Sequence, residues 1–160
     1  MINFFTIGVY NSTENVFFDK LIKNGIDTFC DIRQRRGVRG SQYRFVNSNF
    51  LQTKLKSMGI RYVYVKELAP TTEIRQKQKD SDKCNNETKN QRAVLDEVFA
   101  NEYKAQILDY FDMDGFMSSL IDSGSSNVVF FCVEKHACAC HRSLVAKKIN
   151  KLYGNNIIDL

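Results

Sequence analysis

Four short apolar runs, each ending in polar residues and each separated from the next by residues at helical spacing, constrain this chain more than any other feature. They are Ile2–Gly8, Ile26–Ile32, Ile60–Val65 and Asn127–Val133, the last (NVVFFCV) being the most apolar. Near-continuous hydrophobic runs are what strands buried on both faces require. Long helical connections between them are what parallel pairing requires. The pattern predicts an α/β fold: a single three-layer domain over residues 1–160, with a mainly parallel sheet of about five strands. Ile157-Ile158 supplies the fifth, at an edge.

The connections carry their own punctuation. Ser12 or Thr13 can cap a first helix, in which Phe17 with Leu21 and Phe18 with Ile22 form i, i+4 pairs before Gly25 stops it. Asn47 or Asn49 can start a second, bearing Phe50, Leu51, Leu55 and Met58, with Gly59 at its end. Residues 71–111 form an insertion. Its first part, Thr71–Arg92, is polar and charged and reads as an exposed helix or loop; apolar helical spacing returns over Ala93–Phe111. Asp114–Ile121 and Arg142–Tyr153 complete the helices, the latter stopped by Gly154.

Composition narrows the class. Hydrophobic residues at 43% and aromatics at 12% exclude a disordered chain. No run approaches the roughly 18 apolar residues of a membrane helix, and the start, MINFFTIGVY, lacks a basic region ahead of its apolar one. No membrane association is expected. Five scattered cysteines fit a reducing, cytoplasmic setting better than a secreted disulfide framework.

In parallel sheets ligands bind beyond the carboxyl ends of the strands. That rule collects Gly8, Val9, Tyr10 and Asn11 after the first strand, Asp31 and Arg33 after the second, Lys66 and Glu67 after the third, and Cys132 and Glu134 after the fourth. The net charge of +5 is matched by one window, Arg33 to Arg44, which holds five arginines and no acid. Arg33, Arg35, Arg36 and Arg39 suit phosphate, glycines 37 and 40 allow close backbone approach, and Tyr43 can stack on an unpaired base. The plainer alternative is a solvated charged loop. Asp31, two residues from Arg33, can act as a base or form an internal ion pair that fixes the loop; both readings stand.

The segment Phe131–Ser143 holds three cysteines, both histidines of the chain, Glu134 and Arg142. One reading makes an anion pocket from Arg142 and Ser143 at a helix start, with Glu134 or His141 in acid–base work. A second ligates zinc through His136, Cys138, Cys140 and His141, but the Cys-x-Cys-His spacing is shorter than usual zinc pairs and no second pair exists. A third makes Cys140 a reactive thiolate. Cys132 reads as a core residue. No metal and no cofactor are assigned.

The pieces Thr6-Ile7-Gly8, Gly25-Ile26-Asp27, Asp31-Ile32-Arg33, Gly59-Ile60-Arg61-Tyr62, Glu67-Leu68-Ala69-Pro70-Thr71, Cys132-Val133-Glu134 and Cys140-His141-Arg142-Ser143-Leu144 span nearly the whole chain in order. In them the sequence resembles the bacterial and archaeal family catalogued as domain of unknown function 488. Many relatives carry His-Ser where Val9-Tyr10 stand here. The resemblance implies an α/β sandwich with a site made of the Asp-x-Arg, Cys-x-Glu and Cys-His-Arg pieces, and supplies no reaction.

The expected function is an enzyme on nucleic acid or a nucleotide, hydrolysing a base–sugar or related bond. Arg33, Arg35, Arg36, Arg39 and Arg142 would bind phosphate, with Tyr10, Asn11, Tyr43 and Ser143 completing the substrate site. Glu134, Asp31 and Glu67 would supply carboxylates and His141 a proton shuttle. The alternative is a non-catalytic nucleic-acid-binding module. A homodimer is compatible with either.

Overall fold

The computed structural model describes residues 1–88 and 91–160. Five strands, β1 (Asn3–Ile7), β2 (Thr28–Asp31), β3 (Arg61–Tyr64), β4 (Asn127–Phe131) and β5 (Ile157–Asp159), form one all-parallel sheet in the order β3-β2-β4-β1-β5. Six α-helices connect them: α1 (Glu14–Lys23), α2 (Ser48–Ser57), α3 (Thr72–Cys84), α4 (Glu97–Tyr103), α5 (Met113–Asp122) and α6 (Arg142–Tyr153). None of the described helices is long and apolar enough to cross a membrane.

Alternation along β4 divides the core into two layers. Phe131 faces α1, whose Phe17 ring meets those of Phe131, Phe29 and Phe45. Phe130 points the other way, stacked on Phe4 and against Phe116 of α5. Both phenylalanines are fully buried, as a central strand with helices on both faces demands. The strands are shorter than the apolar runs that announce them. Ile32, Val65, Cys132 and Val133 remain buried but lie beyond the printed strand ends, where the chain turns into the loops above the sheet.

Several caps fall where side-chain chemistry puts them. Thr13 accepts from the Val16 N–H and Thr71 from the Ile74 N–H, and Gly154 ends α6 in the left-handed conformation that lacks a steric penalty for glycine. Two expectations change. Asn47 precedes α2, yet its Oδ1 accepts from the Val38 N–H at 2.6 Å, tying down the arginine loop instead of capping the helix. The helix expected from Ala93 starts only at Glu97, because residues before it dock on the β4–α6 loop: Leu95 N–H donates to the Cys138 carbonyl. Asp96 then caps α4, which runs on into a π-helical turn, Lys104–Leu108.

The sheet order sets the ligand crevice. The connection leaving β2 runs outward to β3, whereas the one leaving β4 runs the opposite way, past β1, to β5. The chain therefore diverges between the carboxyl ends of β2 and β4, which is the topological switch point of a parallel sheet.

Gly8, just past β1, lies where the β4 exit crosses. A Cβ there would meet the Glu134 carbonyl oxygen at 1.9 Å and Arg142 Nη2 at 3.1 Å. Gly8→Ala is expected to destabilise the protein by about 2 kcal/mol, as overpacking does, lowering Tm by about 4–8 °C in a thermal melt. An unchanged Tm would show that the crossing is loose.

Candidate functional site at the switch point

A cavity of about 950 Å³ lies over the ends of β2 and β4. Its floor holds Cys132, Glu134, Cys140 and His141, all buried. Its walls come from the arginine loop, with Arg33, Arg35 and Arg39, and from α3, with Arg75, Lys79 and Lys83. Arg92 is the seventh lining cation, against the three lining acids Asp82, Glu87 and Glu134. Arg35 and Arg39 are exposed at the mouth.

Local structure explains how this loop holds its arginines outward. Besides the Val38–Asn47 bond, the Ser48 N–H donates to the Arg36 carbonyl, and the Tyr43 hydroxyl accepts from the Asn11 N–H at 2.9 Å. Tyr43 is buried in the wall, its ring against Tyr10 and Phe45. Tyr10 lines the cavity as well and is the more exposed of the two.

Buried arginines frame the site. Asp31 is fully buried and saturated: its Oδ1 accepts from the Arg33 N–H and Nε–H, and its Oδ2 from Arg33 Nη2 and the Tyr62 hydroxyl, both at 2.7 Å. Arg33 is held flat over Phe131, 4.6 Å from the ring centroid. Its Nη1 is buried without a partner, and so is Arg92 Nε. Arg92 otherwise bridges Asp82 on α3 and Glu134, both at 3.1 Å. Among the described residues, two guanidinium groups beside the cavity thus each keep a buried nitrogen without an acceptor, as Arg61 does at Nε away from it.

The floor is electrostatically tense. The Cys132 thiol lies 3.2 Å from Glu134 Oε2. Cys140 Sγ is 3.7 Å from His141 Nδ1, and His141 Nε2 is 2.9 Å from the Ile32 carbonyl oxygen. The carbonyl can only accept, so Nε2 carries hydrogen and, in the neutral ring, Nδ1 keeps its lone pair towards the sulfurs. A hydrogen bond from Cys140 draws the Cys132 thiol down to about 5, against burial and the Glu134 charge, with His141 helping. Burial pushes Cys140 well up. Burial also opposes protonation of His141, but the negative charge on Cys132 and its hydrogen bond outweigh it and raise the imidazole.

The sequence-predicted residues divide accordingly. Glu134, His141, Arg33, Arg35, Arg39, Tyr10 and Tyr43 converge on the cavity. Asp31 does not line it; it takes the internal ion-pair role. Glu67 is exposed beside a different hollow near Phe111 and Phe116. Arg36 stacks on Tyr64 at 4.2 Å, away from the lining. Arg142 is buried, its guanidinium donating to Thr6 Oγ1 and to the Glu134 and Lys135 carbonyls. It orders the loop and leaves no face for phosphate. Ser143 donates to the Cys140 carbonyl, and Asn11 is exposed outside the lining. His136 and Cys138 are exposed too, Cys138 donating to the Ala93 carbonyl, so the four-residue zinc set is not assembled.

A family model described as Domain of unknown function DUF488 matches residues 13–149. The chain belongs to that family. No curated protein and no solved structure gives a significant match. The DUF488 match includes all four floor residues and both cationic walls, while Gly8, Tyr10 and Asn11 precede it.

Sequence reasoning missed Cys132, which is buried as expected but on the cavity floor rather than in an inert core. It also missed α3. Arg75, Lys79 and Lys83 recur every four residues, the spacing of one helical stripe, and that signal was present in the polar insertion. Gln78 and Arg92, in the same supposedly exposed segment, are buried.

In metal-free buffer, alkylation of Cys132 by iodoacetamide, followed peptide by peptide, is expected to rise with pH through a midpoint near 5. Cys30, which burial pushes up to about 12, should stay inert there. Cys140→Ala removes the donor and should move the Cys132 midpoint up towards the ordinary thiol value of about 8.5. A midpoint unmoved by that substitution would show that Cys140 does not hold the proton.

Proposed function

We propose that this DUF488 protein is a hydrolase acting on a nucleotide or on a single-stranded nucleic-acid end. The supporting observation is the cavity itself: acid–base and thiol groups at the bottom, unsatisfied guanidinium donors in the wall, and cations round the mouth. Its volume lies near the top of the roughly 300–1,000 Å³ typical of ligand sites. A nucleotide is of that size.

In this reading the phosphate binds Arg35, Arg39 and the α3 cations. Tyr10 supports the base. The group to be cleaved then lies against the floor, where Glu134 accepts a proton from the attacking water. Hydrolysis of a carbon–nitrogen bond, base from sugar or amine from base, is the reaction class favoured. Neither Asp31 nor Glu67 serves as a second catalytic carboxylate in this scheme. His141 holds the floor in register through the Ile32 carbonyl.

Nucleotides and short single-stranded DNA and RNA, incubated with the protein and read by mass spectrometry, should lose a base or exchange an amine for oxygen. Glu134→Gln should slow this by about 10²–10⁴-fold, the usual worth of a general base, with folding checked by circular dichroism. Arg35→Ala combined with Arg39→Ala should weaken binding by about thirtyfold, taking roughly 1 kcal/mol for each exposed contact. Arginine-dependent binding without any product would instead identify a binding module.

A further inference from the structure

We infer that Cys132, Cys140 and His141 form a binding site for one zinc ion, with the fourth coordination position open to the cavity. These residues come from two places, the exit of β4 and the start of α6, and one ligand atom from each lies within 4.8 Å of the others. All three are buried yet line the cavity, so an ion has a route in.

One edge of the cluster has the length that tetrahedral coordination requires, and the other two lie within 4.8 Å. With Zn–S near 2.3 Å and Zn–N near 2.0–2.1 Å, the edges of such a site are about 3.6 Å for S···N and about 3.8 Å for S···S. Cys140 Sγ and His141 Nδ1 are 3.7 Å apart. The histidine is also oriented as a ligand. Its Nε2–H is held by the Ile32 carbonyl, leaving Nδ1 to face the sulfurs, and metal-bound histidines characteristically anchor their second nitrogen in this way. Two sulfurs and an imidazole favour zinc over calcium or magnesium, which require oxygen ligands.

Glu134 completes the picture without entering the coordination sphere. Its Oε1 is held by Arg92 and its Oε2 lies beside Cys132, next to the open position. Here the inference deepens the hydrolase reading and rests on it. Water in the fourth position gives a proton to the Glu134 carboxylate, and the remaining hydroxide forms the new carbon–oxygen bond. The carbon–nitrogen bond breaks with its electron pair on nitrogen, which takes the proton back from Glu134; one water is consumed. A cysteine- and histidine-held zinc with a separate glutamate is an established way of hydrolysing an amine from a nucleobase.

The test uses the full chain, reduced, stripped with a chelator and titrated with Co²⁺. One equivalent should produce thiolate-to-cobalt charge-transfer absorption with tetrahedral d–d bands, and one equivalent of Zn²⁺ should abolish it. In wild-type protein, zinc should protect Cys132 and Cys140 from alkylation and leave Cys84 and Cys138, both exposed, as reactive as before. Cys140→Ser and His141→Asn should weaken cobalt binding at least tenfold, and Cys138→Ser should not change it. No thiolate band with all five thiols reduced, or protection confined to Cys84 and Cys138, would overturn the assignment. Nucleotide binding by the stripped protein, with and without Arg35→Ala and Arg39→Ala, reports separately on the cavity reading. The zinc site can thus fail while that reading stands, and the reverse.

Discussion

The buried guanidinium of Arg142 holds the site together. It sits behind the floor and donates to Thr6 on β1 and to the carbonyls of Glu134 and Lys135. A buried cation is tolerated only when its donors are met, and here backbone oxygens at the β4 exit meet them. The consequence is geometric. The β4 exit is drawn against Gly8, which has no side chain to obstruct it. Cys132 and Glu134 are thereby held opposite Cys140 and His141. Arg142 opens α6 directly after Cys140 and His141, so one short stretch supplies two floor groups and the clamp that brings the other two to them.

Arg33 and Arg92 do something different. Each is buried and ion-paired, to Asp31 and to Asp82 with Glu134 respectively, but each retains an unpartnered nitrogen. Complete pairing would make them structural, as Arg142 is. Breaking such a pair typically costs about 3–5 kcal/mol, so these residues contribute to the fold even though their pairing is incomplete. The exposed Arg35 and Arg39 carry no such constraint, standing free of ion pairs among the described residues at the cavity mouth.

The fold was largely legible because burial on both faces leaves a coarse signature. The run NVVFFCV can hardly be anything but a central strand, and Gly154 ends α6 where the pattern places it. Positions within the site were harder. That Glu134, His141 and the arginine loop converge follows from strand ends alone. That Cys132 faces the cavity does not, since a buried cysteine looks the same in sequence whether its neighbours are methyl groups or a histidine. Sequence spacing offers a zinc set within six residues, His136 to His141, whereas the cluster in space takes its third member, Cys132, from the other side of the loop. The insertion misled for a related reason. Its polar composition described a surface, which most of it is, but one stripe of that surface lines the cavity, and Gln78 and Arg92 are buried beside it.

The insertion therefore belongs to the site. Arg92 joins α3, through Asp82, to Glu134, and α3 also carries Arg75, Lys79 and Lys83 along the cavity wall. Gln78 strengthens the link by donating to Asp82 and accepting from the Asp96 N–H that precedes α4. The α3 stripe and the guanidinium that holds Glu134 line the same cavity. The cationic wall and the floor thus share one residue, since the guanidinium that pairs with Asp82 on α3 also holds the Glu134 carboxylate.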